Sequence, residues 1–313
     1  MMKKSLVFPG QGVQVIGMGK ELYDAFSTAK EVFQEIDEAL GQNLTHLMFY
    51  GDAAELTLTS NAQPAIMAVS MAALRVLERD GNINISEKFL CSAEHSLGEY
   101  SALCASGVFD VSQTAKLLKI RGESMQKAVP IGIGSMVALL GGSIEGVQEL
   151  AEKSAQDQVC VVANDNSAEQ TVLSGHVQAI ERACDLISEF GIKRAIRLDV
   201  SAPFHSPLMN PAAVEMRKAL EETPIRSSQI SVIHNFTADY VGEDNVVDLL
   251  VDQICGRVRW RETILKMAHL EIEQMIEVGQ GKVLCGLAKR IAPQIAALSL
   301  QTPQDFENLI KII

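Results

Sequence analysis

A serine at position 96 stands where a short apolar stretch gives way to a helix, in the run Phe89-Leu-Cys-Ser-Ala-Glu-His-Ser-Leu-Gly-Glu-Tyr-Ser-Ala-Leu103. A serine at such a tight strand-to-helix turn holds its hydroxyl clear of the sheet, and the free N–H groups that open the helix can stabilise an oxyanion. We therefore interpret Ser96 as a nucleophile for acyl transfer. The same residues also fit an ordinary helix N-cap, which is a common position for serine.

The residues on either side of Ser96 match a nucleophile elbow only in part. In the pattern Gly-x-Ser-x-Gly, the positions two before and two after the serine pass close to neighbouring backbone, which favours glycine. Gly98 fills the second position, whereas Glu94 occupies the first. We expect the Glu94 side chain either to reach solvent or an arginine, which leaves Ser96 in place, or to strain the turn; we favour a folded protein with reduced activity.

A serine nucleophile needs a general base, and His205 is the histidine that fits best. It lies in the stiff run Pro203-Phe-His-Ser-Pro207 and follows the serine along the chain, as the base does in α/β-hydrolase-like enzymes. His234 is the alternative base, whereas His95 is expected to point away from Ser96. No aspartate or glutamate identifies itself as the group that orients the imidazole.

Five short runs together resemble the family of malonyl-CoA:acyl carrier protein transacylases and the related acyltransferase domains of polyketide synthases. The resemblance extends over essentially the whole chain, and it favours the nucleophile over the N-cap as the role of Ser96. The runs are Gly10-Gln-Gly12, His95-Ser-Leu-Gly-Glu-Tyr100, Arg121-Gly-Glu-Ser-Met-Gln126, Pro203-Phe-His-Ser206 and Leu250-Val-Asp-Gln253.

The resemblance implies roles for the groups around the nucleophile. The backbone N–H groups of Gln11 and Leu97 would form the oxyanion hole. A backbone carbonyl near Gln253 would orient His205 in place of a carboxylate. Arg121 would hold the free carboxylate of the malonyl group, because a guanidinium fork pairs with a carboxylate in a geometry that lysine cannot reproduce.

The resemblance also places three residues in the acyl pocket. Asn164 and Asn166 would face the active site, although asparagines in such a loop also serve as turn residues. Phe204 would crowd a branched α-methyl group and so favour malonyl over methylmalonyl groups. The run Cys255-Gly-Arg257 departs from the family's more usual Tyr-Asn-Pro, which leaves the geometry of that loop open.

The hydrophobic pattern divides the chain into two domains that must position these residues. Residues 131–200 predict the order βαββαβ, which is the ferredoxin-like arrangement. Residues 1–130 and 201–313 predict an α/β-hydrolase-like catalytic domain that this unit interrupts. The predicted fold is therefore α/β, an α/β-hydrolase-like large domain with an inserted ferredoxin-like small domain. Within the large domain, a capping box at Thr28 predicts a helix that ends before Gly41.

The composition indicates a globular enzyme rather than a nucleic-acid-binding or membrane protein. The 313 residues are 47% hydrophobic and carry a formal net charge of −12, which argues against nucleic acid as a partner. Pro9 and Gly10 interrupt the apolar N-terminal run, so neither a signal peptide nor a membrane span is predicted. The six cysteines lie far apart and predict reduced core thiols. We expect a cytoplasmic monomer that needs no metal ion or cofactor.

The acidic net charge means that the phosphates of coenzyme A, or an acidic carrier protein, would need a local basic patch. Candidates are Lys116, Lys119 and Arg121 on one predicted helix, together with Lys193 and Arg194. Each lysine taken singly is more commonly part of a solvated helix face.

The resulting hypothesis is a ping-pong transfer that supplies fatty acid synthesis. Ser96 takes the malonyl group from malonyl-CoA and releases coenzyme A, and the phosphopantetheine thiol of acyl carrier protein then takes it, with His205 as base and then acid. Two alternatives remain: a serine thioesterase or esterase, and a protein weakened by Glu94 that only binds carrier protein or thioester. Because a hydrolase has no use for a cation deep in its acyl pocket, turnover of malonyl-CoA against acetyl-CoA separates transferase from hydrolase.

Overall fold

The computed structural model describes residues 2–200, 202–240, 242 and 245–313. Ser201, the predicted start of the second part of the large domain, lies outside the described residues. The strands are β1 (Lys4–Phe8), β2 (Cys91–Glu94), β3 (Gly134–Gly141), β4 (Cys160–Ser167), β5 (Gln170–His176), β6 (Ile192–Arg197), β7 (Ser231–His234), β8 (Asp239–Tyr240), β9 (Gln274–Val278) and β10 (Ala296–Leu300).

Helices make up most of the remaining described chain, and none of them is long and apolar enough to cross a bilayer. Short 3-10 helices lie at Ile187–Phe190 and Pro207–Met209. The α-helices are α1 (Lys20–Ala25), α2 (Ser27–Leu40), α3 (Leu44–Tyr50), α4 (Ala53–Thr57), α5 (Thr59–Arg79), α6 (Ile85–Lys88), α7 (Gly98–Ala105), α8 (Val111–Lys127), α9 (Ile144–Ala155), α10 (Val177–Leu186), α11 (Asn210–Glu221), α12 (Val246–Cys255), α13 (Trp260–His269), α14 (Val283–Ile291) and α15 (Pro303–Leu309).

The larger sheet has the strand order β10-β9-β1-β2-β7-β8, parallel except for the edge strand β8. Every residue of β1 is buried, as expected for a central parallel strand covered on both faces. Leu6 and Phe8 pack into one core with α5, whereas Val7 packs into another with α13 and α14. The carboxyl ends of β1 and β2 therefore meet in the middle of the sheet, where open α/β sheets bind their ligands.

The smaller sheet has the order β4-β5-β3-β6, and all its neighbours are antiparallel. Helices α9 and α10 cover one face, and Val137, Leu150 and Ile180 belong to its separate core. With strands counted within the unit, this is the order 2-3-1-4 that a βαββαβ chain gives in a ferredoxin-like domain, so the predicted small domain is confirmed. The boundaries after residues 130 and 200 stay a prediction.

The two domains are joined by a set of contacts that we call the interdomain clasp, formed by Ala163, Asp165, Val258 and Arg261. Val258 donates its N–H to the Ala163 carbonyl at 2.8 Å, and its carbonyl accepts the Asp165 N–H at 2.8 Å. The Arg261 guanidinium binds both carboxylate oxygens of Asp165 at 2.9 to 3.1 Å. The clasp thus fixes β4 of the small domain against the segment that leads into α13.

The start of α2 differs from the prediction. Phe26 is the N-cap, no side chain caps the helix, and Thr28 lies within the first turn. Only Phe26 separates α1 from α2, and its ring packs on Phe306, so a tertiary contact sets the boundary. The predicted end is confirmed, since Gly41 follows the helix with φ 57°.

Candidate active site

Ser96 lies in a sharp turn between β2 and α7. Its φ of 56° is in the left-handed region, which is a strained conformation for a serine. A Cβ at Gly98 would lie 2.4 Å from the Phe8 carbonyl oxygen, so only glycine permits α7 to begin this close to β1. The Ser96 N–H donates to the Asn235 side-chain oxygen at 2.6 Å. The turn is therefore held from β1 and from the segment after β7.

His205 lies against the serine hydroxyl. Its Nε2 is 2.8 Å from the Ser96 Oγ, and its Nδ1 is 3.0 Å from the carbonyl oxygens of Gln253 and Gly256. Because both partners of Nδ1 can only accept, Nδ1 carries the proton and Nε2 is free to accept one from the serine. Two backbone carbonyls thus orient this imidazole, and no carboxylate does.

The electrostatic surroundings keep this imidazole neutral. His205 is 4% exposed. Burial lowers its pKa to about 3, and the nearby charge of Arg121 adds to the effect, while the two backbone carbonyls oppose it. At neutral pH the ring is therefore unprotonated at Nε2, which is the state that a general base requires.

Arg121 reaches the serine from α8 and is 1% exposed. Its Nη2 donates to the Gln253 Oε1 at 2.7 Å and to the Ser96 Oγ at 3.2 Å, and its buried Nε has no hydrogen-bond partner among the described residues. Burial lowers the pKa of the guanidinium, opposed by Tyr100 and Glu99, but an arginine stays charged in a protein. A buried cation with a spare donor can bind an anion beside the serine.

Gln253 connects these groups from α12. Its side-chain Nε2 donates to the Ser96 carbonyl at 2.9 Å and to the Glu99 Oε2 at 2.5 Å, while its Oε1 accepts from Arg121. Its backbone carbonyl accepts from His205. One fully buried residue therefore touches the nucleophile, the base and the cation.

Two backbone donors near the serine remain available. The N–H groups of Leu97 and Gln11 have no acceptor among the described residues. Gln11 lines the cavity beside Ser96 in the turn after β1, whereas Leu97 is buried at the start of α7. Unpaired N–H groups at this place suit an oxyanion, although their role stays a prediction.

The small domain forms the opposite wall of the site. Asn164 and Asn166, at the end of β4, line a cavity of about 310 Å³ together with Ser96, and Phe204 and His205 line it from the large domain. The His95 Nε2 lies 2.9 Å from the Asn166 Oδ1, so His95 helps to shape this wall. The structure therefore brings the predicted site residues together at one cavity or directly behind it, while their roles in the reaction stay predictions.

Sequence reasoning missed Gln63, Asn235 and Glu99. Gln63 lines the cavity from α5 and has a buried side-chain oxygen without a partner among the described residues. Its only sequence signal was a polar residue in an otherwise apolar helix. Asn235 directly follows β7, so its position at the carboxyl end of a parallel strand was a usable signal.

Three expectations need correction. Glu94 is fully buried, and the structure gives it neither solvent nor an arginine partner, because it ends β2 and its side chain is enclosed beside Glu99. Arg121 cannot belong to a surface basic patch, since it is buried. The Lys119 ammonium group donates to the side-chain oxygens of Gln42, between α2 and α3, and of Asn61 on α5. His234 lies behind the nucleophile, 2.7 Å from Glu99, and is not in contact with the Ser96 hydroxyl.

Comparison with known proteins places this site in context. Residues 5–287 match the family model described as acyl transferase domain. The chain is 41% identical to the malonyl CoA-acyl carrier protein transacylase of Bacillus subtilis (strain 168), over 100% of this chain and 98% of that protein. It is 38% identical to the protein of the same name from Escherichia coli (strain K12), over 100% of both.

Solved structures agree with these relatives. The chain is similar to the crystal structure of acyl-carrier-protein-S-malonyltransferase from Bartonella henselae, with 47% identity, a TM-score of 0.97 and 99% of each chain covered. It is also similar to a malonyl-transacylase solved in complex with its type II PKS acyl-carrier protein, with 36% identity, a TM-score of 0.95 and 99% of each chain covered. These matches confirm the family resemblance and the predicted fold class.

Proposed function

Because the chain belongs to the acyl transferase domain family, we propose that it transfers the malonyl group from malonyl-CoA to the phosphopantetheine thiol of acyl carrier protein. This enzyme supplies fatty acid synthesis. The observation that carries the proposal is the buried Arg121 guanidinium, which lies 3.2 Å from the hydroxyl of a serine that a neutral histidine can deprotonate. A free carboxylate on the acyl group distinguishes malonyl from acetyl groups, and a cation beside the nucleophile recognises that carboxylate.

The first half-reaction forms an ester on Ser96. Its Oγ attacks the thioester carbonyl carbon of malonyl-CoA while the His205 Nε2 takes the hydroxyl proton. The C–S bond then breaks, and the departing sulfur of coenzyme A takes that proton back from His205. Backbone carbonyls of Gln253 and Gly256 hold the imidazolium that forms in between, through its Nδ1–H.

The second half-reaction reverses these roles with another thiol. The His205 Nε2 takes the proton of the carrier protein's phosphopantetheine thiol, and the sulfur attacks the malonyl ester. The Ser96 Oγ leaves and recovers its proton from His205. In both halves the carbonyl oxygen gains negative charge, and the N–H groups of Leu97 and Gln11 stabilise it.

The cavity walls select the acyl group. Arg121 binds the malonyl carboxylate with its guanidinium, whose Nε–H is spare, and Gln253 keeps the guanidinium in place. Phe204 crowds the α-carbon and disfavours a methyl branch, while Asn164 and Asn166 provide polar groups on the small-domain side. The methylmalonyl group is therefore a poorer substrate.

A serine thioesterase would use the same nucleophile and base, so the experiment follows both the acyl group and its acceptor. Purified protein is given malonyl-CoA or acetyl-CoA, with phosphopantetheinylated carrier protein or with water alone. We expect malonyl transfer to the carrier protein to exceed both hydrolysis and acetyl transfer by at least about a hundredfold. Equal use of the two acyl groups, or hydrolysis as the main product, would assign the site to a hydrolase instead.

The proposal extends to the state of the protein in the cell. We propose a monomer that works in the cytoplasm with coenzyme A and acyl carrier protein as its partners, and that needs no metal ion or cofactor. Sedimentation at micromolar concentration tests whether the protein is a monomer. Activity after dialysis against a chelator tests whether it works without a metal ion. A stable dimer, or activity that returns only with added metal, would contradict them.

A further inference from the structure

Glu94 places a carboxyl group inside the protein directly behind the nucleophile turn. It ends β2, is fully buried, and neither of its oxygens has a well-aligned hydrogen bond to a described residue. The Glu99 carboxyl and the backbone N–H of Asn235 are close enough to act on its charge. A charged carboxylate in this position would be an uncompensated buried charge, which is strongly unfavourable.

Glu99, in contrast, accepts a strong hydrogen bond and has a second nitrogen close by. Its Oε2 accepts from the Gln253 Nε2 at 2.5 Å, and its Oε1 lies 2.7 Å from the His234 Nε2, although these two atoms are not aligned as a hydrogen bond. His234 Nδ1 accepts the backbone N–H of Phe236 at 3.1 Å, so the imidazole carries its proton on Nε2, which faces Glu99. Glu99 is therefore the better place for the negative charge of the two carboxyl groups.

The titratable groups around this pair come from four elements. They are Cys91 on β2, Tyr100 on α7, Arg121 on α8 and His234 on β7. Arg121 is the one permanent cation in that set, and one carboxylate balances it. A second carboxylate would leave a net negative charge in the interior.

We propose that Glu94 and Glu99 hold one proton between them, with Glu94 as the neutral acid and Glu99 as the carboxylate, and that this pair positions the Gln253 amide behind the nucleophile. Burial and the charge of Glu99 both raise the pKa of Glu94, in agreement with this arrangement.

The carboxylate matters for the reaction because it fixes which way the Gln253 amide points. Its NH₂ group donates to Glu99 and to the Ser96 carbonyl, which leaves Oε1 facing Arg121. A reversed amide would turn two N–H donors toward the guanidinium and push it away from the malonyl site. Glu99 and Glu94 are in this account positioning residues, and their effect on activity rests on the proposed malonyl transfer.

Thermal unfolding from pH 4 to pH 8.5 tests the shared proton without any activity assay. The native protein keeps a proton that unfolded Glu94 releases near pH 4.5, so the wild type loses stability as pH rises above that value. Glu94→Gln has no such proton to keep. We expect its Tm to equal that of the wild type near pH 4 and to exceed it increasingly toward pH 8.

Glu277→Gln is the matched control, since Glu277 is also fully buried on a strand beside β1 but accepts the N–H groups of Leu284 and Cys285. It should lower the Tm at neutral pH and leave the preference for malonyl-CoA unchanged. A Glu94→Gln variant that loses as much Tm at pH 8 as Glu277→Gln would overturn the proposal, because Glu94 would then be an ionised acceptor. The infrared C=O band of a buried carboxylic acid, present in the wild type at pH 7 and missing in Glu94→Gln, is a second readout.

Glu99→Gln tests the positioning of the Gln253 amide. We expect the ratio of malonyl to acetyl transfer to fall by at least about tenfold, mainly through KM for malonyl-CoA, whereas the control Glu277→Gln keeps that ratio. An unchanged ratio in Glu99→Gln would overturn the positioning claim. If the wild type itself transfers no malonyl group, the proposed function fails, while the melting curves still decide whether the proton is shared.

Discussion

The two walls of the active-site cavity are built differently. On the large-domain side, Ser96, His205 and Arg121 are each held by contacts to other site groups, and Gln253 joins all three. On the small-domain side, Asn166 lies 2.9 Å from His95 of the large domain, and Met136 and Val172 pack in one apolar cluster with Phe204. We infer that the large domain carries the bond-making steps and that the small domain closes and shapes the pocket.

The way in which each wall is supported differs as well. The catalytic wall rests on strained turns, with φ of 56° at Ser96 and 55° at His205, which the surrounding hydrogen bonds impose. The small-domain wall has no positive φ in β4, although the pairing of β4 with β5 is irregular between Val162 and Asn164 and between Asp165 and Ser167, and it depends on the interdomain clasp for its position. Changes to Ser96 and His205 in the first wall should act on the chemical steps, and changes to the second wall should act on binding.

The largest effect is expected on the catalytic wall. Ser96→Ala should lower malonyl transfer by at least about 10³-fold, because no other hydroxyl in the site contacts His205 among the described residues. Ser101→Ala is the matched control, since Ser101 is buried on α7 with an unpaired hydroxyl. Steady-state transfer to carrier protein measures both, and comparable losses in the two variants would mean that the effect is one of packing.

Arg121→Lys comes next. A lysine keeps the charge but loses the fork, so malonyl transfer should fall by about 10²-fold, while Arg121→Ala should gain tolerance for acetyl-CoA relative to malonyl-CoA. The kcat/KM values of each variant, measured with malonyl-CoA and with acetyl-CoA, test this prediction. If both rates fall equally in both variants, Arg121 only supports the structure and the difference between substrates has another source.

The interdomain clasp should give a smaller effect that is confined to binding. Asp165→Asn removes the buried negative charge that pairs with Arg261. KM for malonyl-CoA should therefore rise roughly three- to tenfold while kcat changes little. Asp248→Asn breaks the exposed ion pair with Arg217 and serves as the control. A kcat loss that matches the KM change would show that the two walls are not separable.

The smallest change is expected from pH. A histidine with an ordinary pKa near 6.5 would lose about thirtyfold of its neutral form between pH 8 and pH 5. Because the pKa of His205 is lowered to about 3, it is still neutral at pH 5, so the rate of Ser96 acylation should change by less than about twofold over that range. Stopped-flow release of coenzyme A measures this rate. An acidic limb near pH 6.5 would mean that water reaches the imidazole in the free enzyme.

The sequence was sufficient for the features that local chemistry determines. The turn at Ser96, the helix from Gly98 and the βαββαβ unit follow from apolar spacing and glycine positions, and the structure has them. The sequence was insufficient for features that a tertiary contact determines. Phe26 rather than Thr28 caps α2 because of packing, and the surroundings of Glu94 depend on Glu99 and Asn235, which other elements bring to it. No local pattern carries that information.

The most direct test of the account is the mass of the protein after it is mixed with malonyl-CoA. Intact-protein mass spectrometry followed by peptide mapping should find one malonyl group, attached to Ser96, and the Ser96→Ala variant should remain unlabelled. Addition of phosphopantetheinylated carrier protein should remove the label and transfer it to the carrier. A label on a cysteine, or no label on the wild-type protein under turnover conditions, would contradict the acyl-enzyme on which the account depends.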